Sequence, residues 1–254
     1  MSEAAKQIDG ATLKELLSLV KEYTGITMEE RKRELLFSRL RRRMRTLNME
    51  SIPLYVQFLK SNPNEKQEFI NLVTTNETFF FRTPIVWEYF RKEFLPEWSA
   101  NNPGETLKVW SAASSSGEEA HSMAMACEEY KLTHPGFRYR IYGSDISTAV
   151  LDEAKAGIFA GKSVEDLKSK QPVMLDKYFK YLPEENAYKA QDSLRSNIEF
   201  SIHNLHKTPA KLKFFDIVFL RNVLIYFNDL DQQLVLKNIH LSLIHISEPT
   251  RPLY

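Results

Sequence analysis

Asn76, Thr78 and Arg82 flank three consecutive rings, Phe79, Phe80 and Phe81, a mixture that does not suit an ordinary connector. Connecting segments are usually small and polar. Three adjacent phenylalanines must be buried against something, and the amide, hydroxyl and guanidinium around them are then held in fixed geometry, as a ligand site requires. Taken alone, the run reads equally well as a buried element with ordinary polar flanks. The segments that follow shift that balance.

Leu107 to Trp110 reads as a short buried strand. A run of small residues follows, ending in Gly117, and then a helical pattern from Glu118 to about Lys131 with Ala120, Met123, Ala124 and Cys127 on its apolar side. Small side chains at a strand-to-helix turn let a ligand lie against the backbone, and a helix N-terminus offers free N–H groups. Only one glycine is present and no Gly-Lys-Ser/Thr follows, so neither dinucleotide nor P-loop fingerprint is satisfied. A second strand, Tyr139–Asp145, leads into a helix from about Ser147 to Ala156. An acid at the carboxyl end of such a strand is where doubly wound folds grip ribose hydroxyls. Asp145 is therefore assigned to ribose contact; its competing role is a helix N-cap, which Ser147 could also supply.

Ile198–Ile202 alternates as a strand and ends at His203-Asn204-Leu205, and Phe215–Leu220 is almost continuously apolar, the pattern of a central parallel strand. It runs into Arg221-Asn222-Val223-Leu224-Ile225-Tyr226-Phe227. Every strand thus carries polar groups at its carboxyl end, the edge where open α/β sheets bind ligands.

The first 75 residues read as a small all-α domain. Leu13, Leu16, Leu17 and Val20 follow helical spacing, and from Glu29 to about Leu47 an apolar stripe (Leu36, Leu40, Met44, Leu47) opposes Arg31, Arg41, Arg42 and Arg45. Acids are scarce after Glu34, so these arginines point to a partner of opposite charge. Shorter helices are expected near Ile52–Lys60 and Glu65–Thr74, and another from about Pro84 to Trp98.

At 254 residues the chain suits one or two domains. A net charge of +1 creates no global field for nucleic acid or membrane, and a single cysteine, Cys127, excludes a disulfide framework and fits a reducing cytosol. No secretory leader and no window of ~18 apolar residues is seen, so a cytoplasmic protein is expected. His203 and His206 lack a third ligand pattern, so no metal is expected.

Together, Asn76–Arg82, the turn from Trp110 to Glu119, Gly143–Ile146 and Arg221–Phe227 resemble the CheR family of chemotaxis receptor methyltransferases, over the chain from the N-terminal helices to about Asn238. The resemblance implies an α/β, Rossmann-like sheet that binds S-adenosylmethionine over residues 76–240, preceded by the all-α domain of residues 1–75, with a short β insertion near 178–197. It implies that Asn76, Thr78 and Arg82 contact the cofactor, that one of Glu118 and Glu119 faces it (Glu119 by alignment of the turn), and that Asp145 holds its ribose. Asn204 and Leu205 would meet the adenine edge, Asn222 and Val223 the far wall, and Tyr226 the acceptor pocket beside Arg82. The implied reaction moves a methyl group to receptor glutamate carboxylates, leaving S-adenosylhomocysteine, with no metal. Phe79, Phe80 and Phe81 would seal that site from water. The basic helix would face a glutamate-rich receptor coiled coil, with no nucleic acid, no membrane insertion and a monomeric enzyme.

Two departures stand out. The family's β insertion docks a receptor's C-terminal peptide in some members, but residues 162–197 contain no glycine; an open edge is therefore not expected, and receptor binding should not need such a peptide. Residues 241–254 do not follow the family's Gly-Gly turn and closing strand and read as an atypical, non-native tail. Two other functions fit the sequence: a methyltransferase acting on RNA or a small molecule, with the arginine face as an RNA grip, and a non-catalytic scaffold of the same fold.

Overall fold

The computed structural model describes residues 10–28, 33–209 and 214–243. The leucine spacing of the first segment yields α1 (Gly10–Thr24), which buries Leu13, Leu16, Leu19 and Val20. α2 (Arg33–Thr46) buries Leu36, Leu40 and Met44. α3 (Ile52–Ser61) and α4 (Pro63–Val73) each begin where a side-chain oxygen, of Ser51 or Asn62, accepts a first-turn N–H and a proline occupies the first turn, the position where its missing N–H costs least. Their apolar faces meet around Tyr55, Leu59, Phe69 and Val73. Inside this bundle Glu65 is only 3% exposed. Arg43 grips it with two donors at 3.0 and 2.7 Å, and the Tyr55 hydroxyl donates at 2.8 Å.

The single helix expected from Pro84 is α5 (Pro84–Tyr89), a π-helical turn (Phe90–Phe94) and α6 (Leu95–Asn101) in succession. Pro96 explains the interruption. It has no N–H for the Lys92 carbonyl and its ring crowds that group, and the wider turn lets the Leu95 N–H bond to Phe90 instead.

The chain then enters an α/β layer: β1 (Thr106–Ala112), α7 (Glu118–Thr133), β2 (Arg138–Asp145) and α8 (Thr148–Ala156). An insertion follows, comprising β3 (Ile158–Phe159), α9 (Lys162–Lys170), α10 (Pro172–Tyr178), β4 (Phe179–Leu182), β5 (Ala187–Ala190) and α11 (Asp192–Arg195). β6 (Ile198–Ile202), β7 (Ile217–Leu220) and α12 (Asp229–His240) complete it. The main sheet is parallel in the order β6-β2-β1-β7, with Val109 level with Ile141 on one side and Ile217 on the other. All its carboxyl ends therefore share one edge. Gly143 of β2 is required by packing: a Cβ there would sit 2.4 Å from the Phe200 ring.

Three expectations need correction. β7 is an edge strand among the described residues, not a central one, and its residues are mostly half-buried; beyond it only a single parallel bridge joins Phe215 to Leu243. The insertion is a three-stranded antiparallel sheet, β3-β5-β4, because Ile158 and Phe159 pair with β5. Among the described residues β4 pairs on one side only, so an open edge exists without any glycine. Arg31 and residues 244–254 lie outside the described residues.

Candidate functional site

The loop before α5 is anchored by its rings. Phe80 stands edge-on to Phe159 and Phe179, at 4.9 and 5.5 Å between centroids, and Phe81 edge-on to Trp87 at 5.4 Å. The Phe81 N–H donates to Ser122 Oγ at 3.0 Å. Between these anchors and α5 the backbone turns twice through the left-handed region, at Phe81 (φ 50°) and Thr83 (φ 61°), and a β-branched residue adopts that conformation only at a cost of about 1–3 kcal/mol. Two donors hold the Arg82 carbonyl between these turns: Trp87 Nε1 at 2.8 Å and Arg221 Nη2 at 2.5 Å. The Arg82 side chain lies over the Phe79 ring and donates to the Glu77 carbonyl at 3.0 Å.

The turn after β1 is strained in the same way, with Ala113 at φ 64° and Ser115 at φ 50°. Asp145 holds it. Its Oδ2 accepts the Ser115 N–H at 2.9 Å and its Oδ1 accepts the Ser147 N–H at 3.0 Å, while Ser115 Oγ donates to the Asn76 carbonyl at 3.0 Å. Burial raises the Asp145 carboxyl above the ordinary range, against the pull of the N–H groups of Ser147, Ser115 and Ile146. Three N–H groups leave the carboxylate a lone pair for a ligand hydroxyl. The competing N-cap is supplied from elsewhere: Asn71 of α4 accepts the Thr148 N–H at 2.9 Å and the Ser147 hydroxyl at 3.1 Å.

The two adjacent glutamates at the start of α7 differ in surroundings. Glu118 is buried beside Ser116, 2.7 Å away, and does not reach the cleft. Glu119 lines it. Glu119 Oε1 accepts from Ser111 Oγ at 2.7 Å, and Oε2 pairs with Arg221 Nη1 at 3.0 Å. Burial pushes the Glu119 carboxyl up, opposed by Arg221, Ser111 and Arg82.

These groups surround one cleft of about 200 Å³ at the carboxyl edge of the sheet. Asn76, Thr78, Arg82, Glu119, Asp145, Asn204, Leu205, Asn222, Val223 and Tyr226 all line it. Of the residues assigned to it from sequence, Glu118 alone stays outside. The phenylalanine run does not seal it, since none of the three rings lines the cleft; Phe80 and Phe81 are turned into the core and fix the loop from behind. Thr24 and Ile26 add a wall from the helical region, tied down where Asn204 Nδ2 donates to the Tyr23 carbonyl at 3.2 Å and the Thr27 N–H to the Tyr226 carbonyl at 2.9 Å. Sequence reasoning missed this wall, as well as Ala113, Ser115 and Arg221. The small-residue run signalled the first two, and Arg221 sits inside the run quoted after the last strand. Nothing local signalled Thr24 or Ile26.

Arg41, Arg42 and Arg45 lie apart from the cleft, exposed on α2, with no carboxylate paired to them among the described residues. Arg39 and Arg43 of α2 face inward. Arg43 grips Glu65, and Arg39 donates to the carbonyls of Leu72 and Thr74 at 3.0 and 2.8 Å. Among the described residues no helix is long and apolar enough to cross a membrane, and no cluster of three metal-ligating side chains occurs.

A parallel α/β sheet with a cleft at its carboxyl edge, an acid closing its second strand and small residues at its first turn defines a Rossmann-like protein built for a nucleoside-bearing ligand. Residues 76–247 match the model of the CheR methyltransferase SAM-binding domain, and residues 11–74 that of the CheR methyltransferase all-alpha domain. The chain belongs to the CheR methyltransferase family. It is 34% identical over 238 residues to a chemotaxis protein methyltransferase of Salmonella typhimurium, covering 91% of this chain and 78% of that one. The corresponding protein of Escherichia coli is 35% identical over 238 residues, covering 91% and 79%. A chemotaxis protein methyltransferase of Borreliella burgdorferi is 31% identical over 225 residues, covering 85% and 78%.

Proposed function

We propose that this chain transfers the methyl group of S-adenosylmethionine to side-chain carboxylates of glutamates in chemotaxis receptors, forming methyl esters as part of sensory adaptation. One observation supports this above others: residues assigned to the ligand from separate parts of the sequence, Asn76, Thr78, Arg82, Glu119, Asp145, Asn204, Leu205, Asn222, Val223 and Tyr226, line a single cleft.

The cleft's chemistry fits the donor. Asp145 offers a carboxylate lone pair to a ribose hydroxyl. Glu119 and Arg82 present opposite charges to an amino-acid moiety, and the left-handed turns at Ala113 and Ser115 bring backbone close to it. Asn204 and Leu205 border the adenine, and Asn222 and Val223 form the far wall. When bound, S-adenosylmethionine supplies an electrophilic methyl group: its sulfur–carbon bond breaks as the glutamate oxygen–carbon bond forms, and no proton need move. A carboxylate is already nucleophilic at neutral pH, so the chain's task is proximity and orientation rather than base catalysis. Arg82 and Tyr226 act at the acceptor side by positioning; a grip on the glutamate tighter in the ground state than in the transition state would slow the reaction.

In this reading residues 1–75 serve the receptor, apart from the wall that Thr24 and Ile26 lend the cleft, and residues 76–240 carry the transfer. The exposed Arg41, Arg42 and Arg45 steer a monomeric, cytoplasmic enzyme along a glutamate-rich receptor coiled coil, an attraction screened over a Debye length of about 8 Å. Incubation with labelled methyl donor and receptor-bearing membranes tests it. Base-labile methyl esters on receptor glutamates are expected; label in RNA or a small molecule instead, or none at all, would overturn the assignment.

A further inference from the structure

We propose that Arg221 is a positioning residue whose one guanidinium ties the donor side of the cleft, at Glu119, to the acceptor-side loop, at Arg82. The inference rests on the methyl-donor reading above and deepens it. Arg221 follows directly after β7, and its planar fork is used in two directions: Nη1 reaches Glu119 Oε2 at 3.0 Å and Nη2 reaches the Arg82 carbonyl at 2.5 Å. The guanidinium lies over the Trp87 ring, 5.7 Å from its centroid, and Trp87 stacks on Phe219 of β7 at 5.6 Å. Since Trp87 also donates to the Arg82 carbonyl, that oxygen sits at a three-residue junction between two left-handed turns.

Two consequences follow from the geometry. The first is electrostatic. The charged groups that face Glu119 are Arg221, from the end of β7, and Arg82, from the loop; Ser111 of β1 adds a neutral hydroxyl. Burial opposes the charge on Glu119, so losing Arg221 leaves the carboxyl protonated to higher pH and costs it acceptor capacity toward the donor's N–H and O–H groups. The second is mechanical. Lysine would preserve a positive charge beside Glu119, but a point-like ammonium cannot reproduce a fork that serves a carboxylate and a carbonyl at once. Charge and fork can therefore be removed separately.

The experiment measures binding of S-adenosylhomocysteine by calorimetry between about pH 6 and pH 8.5, with receptor methylation as a second readout. Arg221→Gln is expected to weaken binding about tenfold or more at the acid end, with the deficit shrinking as pH rises and Glu119 ionises. Combined with Glu119→Gln, the same substitution should give weak binding that no longer changes with pH. Arg221→Lys should keep the wild-type pH profile of binding while kcat falls about tenfold or more, because the Arg82 loop has lost its tether. A pH-independent deficit in Arg221→Gln, or full activity in Arg221→Lys, would overturn the inference. Should Arg221→Gln fail to fold, the split between binding and kcat in Arg221→Lys decides alone. Failure of the wild-type protein to bind S-adenosylhomocysteine would instead remove the methyl-donor reading, and is seen before any variant is made.

Discussion

Asp145→Asn separates the two tasks assigned to one carboxylate. Its oxygens accept backbone N–H groups from Ser115 and Ser147, both themselves buried. An amide is nearly isosteric but can present only one acceptor, so whichever way it turns, an NH₂ group confronts one of those N–H groups. A hydrogen bond to a charged group is worth about 1.5–3 kcal/mol, and the abandoned donor is left desolvated. With about 2–4 °C of Tm per kcal/mol for a chain of this size, the variant should melt roughly 3–12 °C lower. Binding should suffer separately. A ribose hydroxyl that had donated to a carboxylate would donate to a neutral amide, losing about half of a charge-assisted bond, and the Ser115 turn that lines the cleft would be less firmly held. Affinity for S-adenosylhomocysteine should fall on the order of tenfold. Thermal unfolding and calorimetric titration, the latter well below the variant's midpoint, read the two effects independently. Lowered stability with wild-type affinity would reduce Asp145 to a structural brace and refute the ribose assignment; unchanged stability would refute the hydrogen-bond argument.

Three further outcomes are expected. Burial holds the His121 imidazole at about 4, below its ordinary 6.5; the unfolded chain therefore takes up the proton first, and stability contributed by the neutral ring is lost as pH falls from 6.5 toward 4. The loss is about 3 kcal/mol at most, and His121→Gln should flatten that part of a denaturation-versus-pH curve. Arg43→Met strips the fork from Glu65, which is 3% exposed, and removing one partner of a buried ion pair costs about 3–5 kcal/mol; urea denaturation should show it, with partial recovery when Glu65→Gln is added. Reversing charge at Arg41, Arg42 and Arg45 to Glu should cut receptor methylation about tenfold or more at low salt, with a smaller deficit at high salt, and leave S-adenosylhomocysteine affinity intact; weakened ligand binding would show that the face does more than meet the receptor.

The strands β1, β2 and β6 were legible to within a few residues because β1 is a short apolar run, β2 and β6 alternate, and each ends at small or polar groups. The cleft's residues were legible for the same reason, since a parallel sheet gathers its carboxyl ends whatever the loop lengths. What escaped has no local signature. Glu118 and Glu119 are chemically identical neighbours, and only the direction of α7 relative to β7 decides which one meets Arg221. The phenylalanine run announced burial but not the side on which the rings would be buried: Phe80 and Phe81 went behind the loop, while Phe79 stays half-buried beneath Arg82. The helix expected from Pro84 to Trp98 passed over Pro96, whose missing N–H goes with the π turn at Phe90–Phe94. β7 read as central from composition alone; its position in the sheet depends on which strand lies beyond it, and composition carries no such information.

The bonds that join α4 and α1 to the sheet have a practical corollary for protein engineering. Asn71 caps α8, Gln67 Nε2 donates to the Ile146 carbonyl at 3.0 Å, and Tyr23 and Thr27 meet Asn204 and Tyr226 through their backbones. A chimera that grafts the helical bundle of one relative onto the sheet of another would inherit a mismatched seam running along the cleft. Such exchanges should succeed only when the contacts on both sides of the seam travel together.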